Sequence, residues 1–390
     1  MLEGVNVVLG VSGSIAAVKT VELAHELRRH GASVRGVMTP AAQGIIHPWA
    51  LEFATEDDVV TEITGRVEHV DLCGREGWAD VLLLAPATAN TVGKIASAVD
   101  DTPVTTCATT ALGAGVPVVC APAMHEPMYD HPGVAKALDQ LEAWGVEFVD
   151  PRIEEGKAKI ATEAAIVTGV ARATSERDLD GRRVVVTAGA TAEPVDPVRV
   201  LTNRSSGKMG RALARACHVQ GADVTLVHGT GSSKPAVDTH YADLVWAERA
   251  EEMLDATLDA CEEADALLSA AAISDFTVAA AREKLRSGEA RTLDLEPTPK
   301  LIDTVRERHP DLTIVGFKTE TSGDDASMVE EARRIMSRAG LVFVVANDAS
   351  VMGSEETRAL VVSTDAADSF VGSKLALGVE IADRLAAVFD

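Results

Sequence analysis

The chain has 390 residues, of which 46% are hydrophobic and only 3% aromatic, so its cores must be built mainly from aliphatic side chains. Its formal net charge of −24 disfavours nucleic acid and anionic membranes as partners, because both carry negative charge themselves. No apolar run approaches the roughly 20 residues that span a bilayer, and the first residues predict a strand and no signal peptide, so we expect a cytoplasmic protein.

The cysteines argue against a zinc site and against a disulfide framework. They are odd in number and none forms a close metal-type pair. The acidic balance fits either a protein adapted to high salt or an ordinary acidic cytoplasmic protein.

In the first half of the chain, strand-like runs alternate with helical patterns. Val5–Leu9 predicts a strand, and the turn Gly10–Ser14 leads into a helical pattern over Ile15–Arg29. Further buried strands are predicted at 34–38, 81–85 and 116–121. This alternation predicts an α/β domain with a doubly wound parallel sheet that is covered by helices on both faces.

The same order of elements starts again at residue 183. A strand at 183–187 and a helix at 208–219 are followed by strands near 224, 244–246, 266–270, 313–317 and 341–346. The polar segment 173–183 is the predicted linker, with a boundary near residue 178. We therefore predict two Rossmann-like domains, 1–178 and 179–390, each with its ligand at the carboxyl ends of the strands.

The turn after the first strand, Gly10-Val-Ser-Gly-Ser14, has the composition of a phosphate-binding turn. Its glycines allow a tight bend, and the hydroxyls of Ser12 and Ser14 can donate to a phosphate. It lacks the full dinucleotide spacing, so a mononucleotide suits it better than NAD. An ordinary structural turn explains the same residues equally well.

Two further loops follow predicted strands in the first domain. Ala85–Thr91 contains Asn90, whose amide can bind a ligand, and Ala121–Tyr129 comes after the next strand. Both loops fall where an α/β sheet places its ligands. His69 lies upstream and is either a structural histidine or a group that transfers protons.

Over residues 4–160 these motifs resemble the flavin-dependent cysteine decarboxylases, most closely the phosphopantothenoylcysteine decarboxylases. The matching segments are Gly13–Ala16, His69–Leu72, Ala85–Ala96 and Pro122–Tyr129. The resemblance implies a flavodoxin-like domain with bound FMN, trimers with sites near subunit contacts, and oxidative decarboxylation of a C-terminal cysteine. It implies that His69 is the catalytic base. It assigns FMN to Gly13, Ser14, Ile15, Thr39, Thr88 and Asn90, and the substrate to Asn90, Met124, His125 and Met128.

The chain departs from that family at two places. His125 and Tyr129 stand where the family has Asn and Trp. The family's bacterial members carry a proton-donating Cys in a flap, whereas residues 155–161 contain none. Lys157, Lys159 or water can supply the final proton, and simple solvation also explains the two lysines.

The segment 186–210 contains a second potential anion site. A small-residue turn and a long arm end in Asn203-Arg-Ser-Ser-Gly-Lys208, where a helical pattern begins. Ser206 is predicted to cap that helix, whose free N–H groups and partial positive charge suit a phosphate. Without the length of the motif, an ordinary strand–turn–helix connection would explain it equally well.

From about residue 180 to 390 the chain resembles the phosphopantothenate–cysteine ligases, through the motif Thr191–Gly210 and later segments. The resemblance implies that CTP and Mg2+ activate 4′-phosphopantothenate as an acyl-cytidylate, which then reacts with cysteine. Asn203 would hold the acyl-cytidylate and Lys284 would assist its reaction. Asp275 would bind nucleotide and Mg2+. The remaining predicted nucleotide contacts are Ser206, Ser269, Ala270, Ala271, Lys284 and Phe317.

Two lysines that the ligase family has on a later helix are absent. Arg334 and Arg338 are four residues apart and so lie on one helical face, where they can replace the lysines or simply be solvated. Lys374 is a similar candidate.

Together the two resemblances imply a bifunctional enzyme of coenzyme A biosynthesis that acts on small molecules. A second hypothesis keeps the ligase and gives the first domain another flavin reaction. A third makes that domain a flavin-binding regulatory or scaffold module.

The identity of the nucleotide, CTP or else ATP or UTP, stays open. Trimers of the flavin domain and dimers of the ligase domain would combine into a dodecamer.

Overall fold

The computed structural model describes residues 1–154, 157–235, 238–286, 288, 290–320, 324–348 and 356–389. The chain divides into two compact units, Met1–Glu176 and Arg177–Asp390. This division falls within two residues of the predicted boundary near residue 178. Each unit is described by itself below.

The N-terminal unit is built around a five-stranded parallel sheet. The strands of this unit, in that sheet and outside it, are β1 (Asn6–Val11), β2 (Ser33–Met38), β3 (Val81–Ala87), β4 (Val118–Pro122), β5 (Met124–His125), β6 (Glu147–Phe148), β7 (Arg152–Glu154) and β8 (Lys157–Lys159). Its helices are α1 (Thr20–Arg29), α2 (Pro40–Gln43), α3 (Pro48–Thr55), α4 (Glu68–Cys73), α5 (Ala89–Ala96), α6 (Pro103–Ala114), α7 (Glu126–Tyr129), α8 (Pro132–Ala143) and α9 (Glu163–Ala173). The strand order is β2-β1-β3-β4-β6, so the winding direction reverses between β1 and β3.

The continuous apolar runs of this unit become its central strands. Every residue of β3 and β4 is buried, as expected for parallel strands covered on both faces. On one face Leu82 and Leu84 pack with Val104, Cys107 and Leu141 from the covering helices. The predicted helix over 15–29 begins as a 3-10 turn, Ile15–Lys19, before α1 starts at Thr20.

A small antiparallel sheet, which the alternation pattern did not predict, adds to the N-terminal unit. Its order is β5-β8-β7, with Met124 paired to Ala158 and His125 to Lys157. The segment that aligns with the family's flap therefore includes β8, while residues 155–156 lie outside the described part of the chain.

The C-terminal unit contains an eight-stranded mixed sheet and two small hairpins. Its strands are β9 (Arg183–Ala188), β10 (Ala192–Pro194), β11 (Val200–Thr202), β12 (Asp223–Gly229), β13 (Asp243–Ala247), β14 (Ala266–Ser269), β15 (Phe276–Val278), β16 (Leu295–Pro297), β17 (Thr313–Glu320), β18 (Phe343–Asp348), β19 (Glu356–Val362) and β20 (Ala367–Ser373). Its helices are α10 (Lys208–Val219), α11 (Ala250–Cys261), α12 (Leu301–Arg308), α13 (Asp325–Ala339) and α14 (Lys374–Phe389).

The order of the large sheet is β13-β12-β9-β14-β17-β18-β19-β20, parallel up to β18 and antiparallel beyond it. The winding direction reverses between β9 and β14. Separate apolar clusters cover the two faces, one around Leu213, Leu268 and Ile381 and the other around Leu267 and Ile314. The predicted α/β class with doubly wound sheets is confirmed, and the antiparallel pair β19–β20 extends it.

None of the described helices combines the length and apolar character that a membrane crossing requires.

Candidate functional site

A cavity of about 450 Å3 lies at the carboxyl ends of β1 and β3 in the N-terminal unit, where the winding direction reverses. Its volume falls in the range of small-molecule and cofactor sites. It is lined by Gly13, Thr39, Pro40, Ala41, Thr88, Asn90, Thr91, Lys94, Thr102, Thr105 and Met128.

Three lining threonines cap helices that begin at this cavity. The hydroxyl of Thr39 accepts the Ala42 N–H at 3.2 Å, that of Thr88 accepts the Thr91 N–H at 3.3 Å, and that of Thr102 accepts the Thr105 N–H at 3.2 Å. The N-terminal ends of α2, α5 and α6 therefore converge on the cavity wall. Because helix N-termini carry partial positive charge, this wall suits an anionic group such as a phosphate.

The turn after β1 approaches its neighbours too closely for a larger residue at Gly13. A Cβ atom added there would lie 2.5 Å from the Cβ of Ala41 and 3.0 Å from its carbonyl carbon. Ser12, which the sequence offered as a phosphate donor, is buried. Its hydroxyl donates to the Pro86 carbonyl at 2.7 Å and accepts the Thr88 N–H at 3.0 Å. Ser12 therefore joins two loops, and its hydroxyl hydrogen is already donated to a carbonyl.

The cavity collects four of the six residues predicted for FMN: Gly13, Thr39, Thr88 and Asn90. Ser14 and Ile15 stand beside it in sequence but do not line it. The Ser14 hydroxyl accepts the Ala16 N–H at 3.3 Å, and Ile15 is 79% exposed.

Of the predicted substrate residues, Asn90 and Met128 line the cavity, whereas Met124 and His125 lie on β5 and do not. His69 lies on α4 and is also absent from the lining. Its Nδ1 atom is buried and makes no hydrogen bond to any described residue. Among the residues that the structure describes, this polar atom of the predicted base therefore has no hydrogen-bond partner.

Sequence reasoning missed Thr91, Lys94, Thr102 and Thr105 among the lining residues. The pair Thr102-Pro103 was a readable signal, because a Thr followed by Pro is typical of a helix N-terminus. Lys94 carries the one lysine ammonium in the lining and is paired with Asp101 at 2.6 Å.

A second cavity, of about 320 Å3, lies at the carboxyl ends of β9, β14 and β17 in the C-terminal unit. It is lined by Ser205, Ser206, Gly207, Lys208, Met209, Gly210, Ala270, Ala271, Ala272, Ile273, Asp275, Phe317, Lys318, Thr319, Asn347 and Lys374. We call Ser205–Lys208 the anion loop.

The anion loop leads directly into α10, but Ser206 does not cap that helix. The N-cap is Gly207, whose φ of +71° is the left-handed conformation that glycine tolerates best. The helix then passes close to β9, because a Cβ atom at Gly210 would lie 2.4 Å from the Cβ of Ala188. Glycines at these two positions allow the helix N-terminus to sit at the strand end.

The arm before the anion loop is joined to the segment after β14. The Asn203 amide donates to the Ala272 carbonyl at 2.7 Å. The Thr191 hydroxyl accepts the Ser274 N–H at 2.9 Å. These bonds hold Asn203 beside the lining residue Ala272, although Asn203 itself is not in the lining.

Asp196 connects the arm to the loop that carries Lys284. Its side chain is fully buried and accepts N–H groups from Val198 at 2.8 Å, from Arg199 at 2.9 Å and from Leu285 at 3.1 Å. The Arg199 guanidinium pairs with the same carboxylate at 2.7 Å and donates to the Leu285 carbonyl at 3.1 Å. The arm thus binds both the N–H group and the carbonyl group of Leu285, the residue after Lys284.

This environment determines the charge of Asp196. Burial by itself would raise the pKa of the carboxyl group, but the three N–H donors and the Arg199 charge hold the pKa below its ordinary value. The carboxylate is therefore ionised at neutral pH.

Three lysines, Lys208, Lys318 and Lys374, contribute to the wall of the second cavity, and Asp275 is the carboxylate in its lining. Asp275 pairs with Lys300 at 2.5 Å at an exposed position. Within the described ranges, no cluster of three or more His, Cys, Asp or Glu side chains could hold a metal ion.

The remaining predicted nucleotide residues are distributed unevenly. Ser206, Ala270, Ala271 and Phe317 line the cavity, and Ser269 is buried at the end of β14. Lys284 is exposed and outside the lining.

The structure does not bring Arg334 and Arg338 to this cavity. Arg334 pairs with Glu331 at 2.6 Å and Arg338 with Asp303 at 3.2 Å. Both arginines lie in the C-terminal half of α13. The first turn of that helix is closer in sequence to the end of β17. Lys318, which the sequence reasoning did not select, occupies the lining instead.

Two family models together match nearly the whole chain. The model described as Flavoprotein matches residues 1–175. The model described as DNA/pantothenate metabolism flavoprotein C-terminal domain matches residues 179–388.

The chain is similar over almost its full length to curated proteins named Coenzyme A biosynthesis bifunctional protein CoaBC. The protein of Thermococcus kodakarensis is 49% identical over 368 residues, which cover 93% of this chain and 90% of that protein. That of Methanocaldococcus jannaschii is 34% identical, with coverage of 99% and 94%. That of Bacillus subtilis is 34% identical, with coverage of 91% and 88%.

Proposed function

The chain belongs to the family of bifunctional coenzyme A biosynthesis proteins, and from this premise we propose that its two units catalyse consecutive reactions. The C-terminal unit joins 4′-phosphopantothenate to cysteine. The N-terminal unit decarboxylates the resulting 4′-phosphopantothenoylcysteine to 4′-phosphopantetheine. The observation that carries the proposal is the presence of one sheet-end cavity in each of two units that match two different family models.

In the ligation, the substrate carboxylate attacks the α-phosphate of CTP and pyrophosphate leaves, forming an acyl-cytidylate. The cysteine amine then attacks the acyl carbon and CMP leaves. Lys208, Lys318 and Lys374 offset the negative charge of the triphosphate in the first step. The exposed Lys284 assists the second step if the loop anchored at Leu285 brings its ammonium group over the intermediate.

Asn203 and Asp275 hold the remaining reacting groups. The bond from Asn203 to Ala272 fixes the amide at the cavity edge, where it binds the acyl-cytidylate. Asp275 offers one carboxylate to Mg2+. A single protein carboxylate is enough for this ion, because Mg2+ commonly takes most of its other ligands from phosphates and water. Binding of Mg2+ there would require Asp275 to release its present partner, Lys300.

The residues of the N-terminal cavity fit FMN. The close approach at Gly13 and the capped helix ends leave room and partial positive charge for its phosphate. We assign cofactor contacts to Gly13, Thr39, Thr88 and Asn90, with Asn90 and Met128 also contacting substrate. When bound, FMN would supply a two-electron oxidation of the cysteine side chain that lets electrons flow to sulfur as CO2 leaves, and the reduced flavin would return a hydride so that the product is again a thiol.

His69 is the proton-transfer group in this proposal. Its buried Nδ1 atom has no described protein partner, so that a substrate proton can be accepted there. The last proton comes from Lys157, Lys159 or water, because the flap segment carries no cysteine.

The test uses the purified full chain with 4′-phosphopantothenate, cysteine, CTP and Mg2+, and detects products by mass. We expect 4′-phosphopantetheine, CMP, pyrophosphate and CO2. The cysteine conjugate without 4′-phosphopantetheine would assign the N-terminal unit to another flavin reaction or to a regulatory role. No conjugate with CTP, ATP or UTP would refute the ligase assignment.

The assembly is also part of the proposal. We propose a cytoplasmic homo-oligomer in which N-terminal units form trimers and C-terminal units form dimers, giving a dodecamer. Light scattering on the full chain measures the mass directly. A monomer at micromolar concentration would contradict this arrangement.

A further inference from the structure

A buried histidine lies next to the anion loop and has no part in the mechanism above. His228 is 1% exposed and stands near the carboxyl end of β12. In the sheet its neighbours are Ala188 on β9 and Trp246 on β13. Its ring centroid lies 5.2 Å from that of Trp246.

Both ring nitrogens of His228 make hydrogen bonds, and the two partners determine where the proton sits. The Nδ1 atom is 2.7 Å from the Gly229 carbonyl, and Nε2 is 2.9 Å from Nη1 of Arg211. A carbonyl only accepts and a guanidinium only donates, so Nδ1 carries the hydrogen and Nε2 offers its lone pair. Burial, together with the Arg211 charge, lowers the pKa of His228 and keeps the ring neutral.

The same Arg211 nitrogen also binds the anion loop. Nη1 donates to the Ser206 carbonyl at 3.0 Å. One hydrogen of this nitrogen therefore goes to His228 and the other to Ser206. Arg211 lies in the first turns of α10, so this guanidinium links a buried strand to the loop that opens the helix.

The histidine ring also packs tightly between two glycine turns. A Cβ atom at Gly207 would lie 2.5 Å from Nε2 of His228 and 2.8 Å from Nη1 of Arg211. A Cβ atom at Gly189 would lie 2.7 Å from Cε1 of His228. The ring therefore supports the turn after β9 from one side and the anion loop from the other.

We propose that His228 is a positioning residue for nucleotide binding: through Arg211 it holds the anion loop in the conformation that receives the phosphates. This inference rests on the proposed function, because it takes the second cavity to be the nucleotide site. A neutral ring that accepts at Nε2 keeps the Arg211 guanidinium at the base of the loop. Without that acceptor, the guanidinium loses its bond to His228, and the nitrogen that donates to the Ser206 carbonyl is no longer held in place.

The test compares the full chain with four single variants, and with the double variant His228→Phe/Arg211→Met, by calorimetric titration with CTP and Mg2+. His228→Phe keeps a ring without an acceptor, whereas His228→Gln places an amide oxygen near the Nε2 position. Arg211→Met removes the donor. Arg215→Met is the matched control, since it removes an arginine one turn further along α10.

We expect His228→Phe and Arg211→Met each to weaken CTP binding about tenfold, as for loss of a hydrogen bond to a charged group. The double variant should bind no worse than either single variant, because both break the same link. His228→Gln should stay within about threefold of the wild type, as should Arg215→Met. A general packing defect would move the unfolding temperature of the variants without this ranking.

Two failures are distinguishable. Absence of CTP binding by the unmodified chain would overturn the proposed nucleotide site and this inference together. Normal binding by the unmodified chain, with His228→Phe and Arg211→Met unchanged, would overturn the positioning role alone. Should His228→Phe fail to fold, Arg211→Met against Arg215→Met decides the matter.

Discussion

The two cavities occupy equivalent places in their sheets but differ in the charges that surround them. Each lies where the winding direction reverses, at β1/β3 in one unit and β9/β14 in the other. The first is surrounded by threonine hydroxyls and capped helix ends, and its lysine is paired with Asp101. The second has three lysines in its lining. If the proposed function holds, the same topology would serve a monophosphate cofactor through neutral dipoles and a triphosphate substrate through cations.

The walls of the two cavities are also held differently. In the N-terminal unit the caps join residues three apart, as in the Thr88 and Thr102 bonds, and the Ser12 hydroxyl adds a long-range link to residues 74 and 76 positions away. In the C-terminal unit the bonds from Thr191, Asp196 and Asn203 join residues 83, 89 and 69 positions apart. We therefore expect small effects when a cap is lost and large effects when a cross-link is lost.

The largest effect should come from Gly13→Ala. The added Cβ atom would lie 2.5 Å from the Cβ atom of Ala41, so the turn must move, and with it the end of the cavity that we propose for the FMN phosphate. We expect flavin content to fall below about a tenth of the wild type, because sub-van der Waals contacts with backbone are not relieved by rotamer changes. Flavin absorbance of the purified protein measures this. Gly93→Ala on α5 is the control, since a Cβ atom there meets nothing within 4 Å.

Asp196→Asn should rank second. The amide cannot accept from three N–H groups and Arg199 as the carboxylate does, so the loop of Lys284 loses its anchor. We expect formation of the cysteine conjugate to fall about 100-fold, as for a displaced catalytic group, with pyrophosphate release affected less. Asp223→Asn, an exposed carboxylate at the start of β12, should leave both rates unchanged.

The same residue predicts a pH dependence. Because the folded-state pKa of Asp196 is lowered, its contribution is present above the ordinary Asp pKa of about 3.9 and is lost as pH falls through the folded-state value. The stability difference between wild type and Asp196→Asn should therefore be constant near neutral pH and shrink in acid. A difference that grew on acidification would contradict the assignment.

Removing single cations should have an intermediate effect. Lys318→Ala and Lys374→Ala should each weaken CTP binding about tenfold and leave flavin content unchanged, because each removes one charge from the proposed triphosphate site. If Arg334→Ala weakened CTP binding by the same factor, Arg334 would have to be counted among the nucleotide contacts. Lys136→Ala, an exposed lysine of the other unit, is the control.

The smallest effect should come from Thr102→Ala. Loss of the N-cap of α6 costs about 1 kcal/mol and lowers flavin affinity only a few-fold, since Thr39 and Thr88 keep their helix ends in place. Thermal unfolding and flavin titration test this, with Thr106→Ala as a helical threonine of the same element. If Thr102→Ala lost as much flavin as Gly13→Ala, the expectation that losing a helix cap matters less than disturbing the close contact at Gly13 would be wrong.

Local sequence determined much of this protein. The order of strands and helices follows from hydrophobic periodicity. The turn at Gly13 and the loop at 205–208 can be recognised in the sequence because each consists of adjacent residues. The antiparallel additions were not predicted. β20 and the β5–β8 pair lack the continuous apolar runs of the central parallel strands, whereas β19 contains a buried apolar run, residues 359–362, that the sequence analysis overlooked.

Tertiary structure decided which side chains meet. Ser12 looked like a phosphate donor and is used between two loops, whereas Arg334 looked like a nucleotide ligand and pairs along its own helix. The links from Asp196 to Leu285 and from His228 to Arg211 join distant segments. Periodicity reports which face of an element is buried, but the partner of a buried polar group depends on how separate elements pack, and no spacing within one segment encodes that.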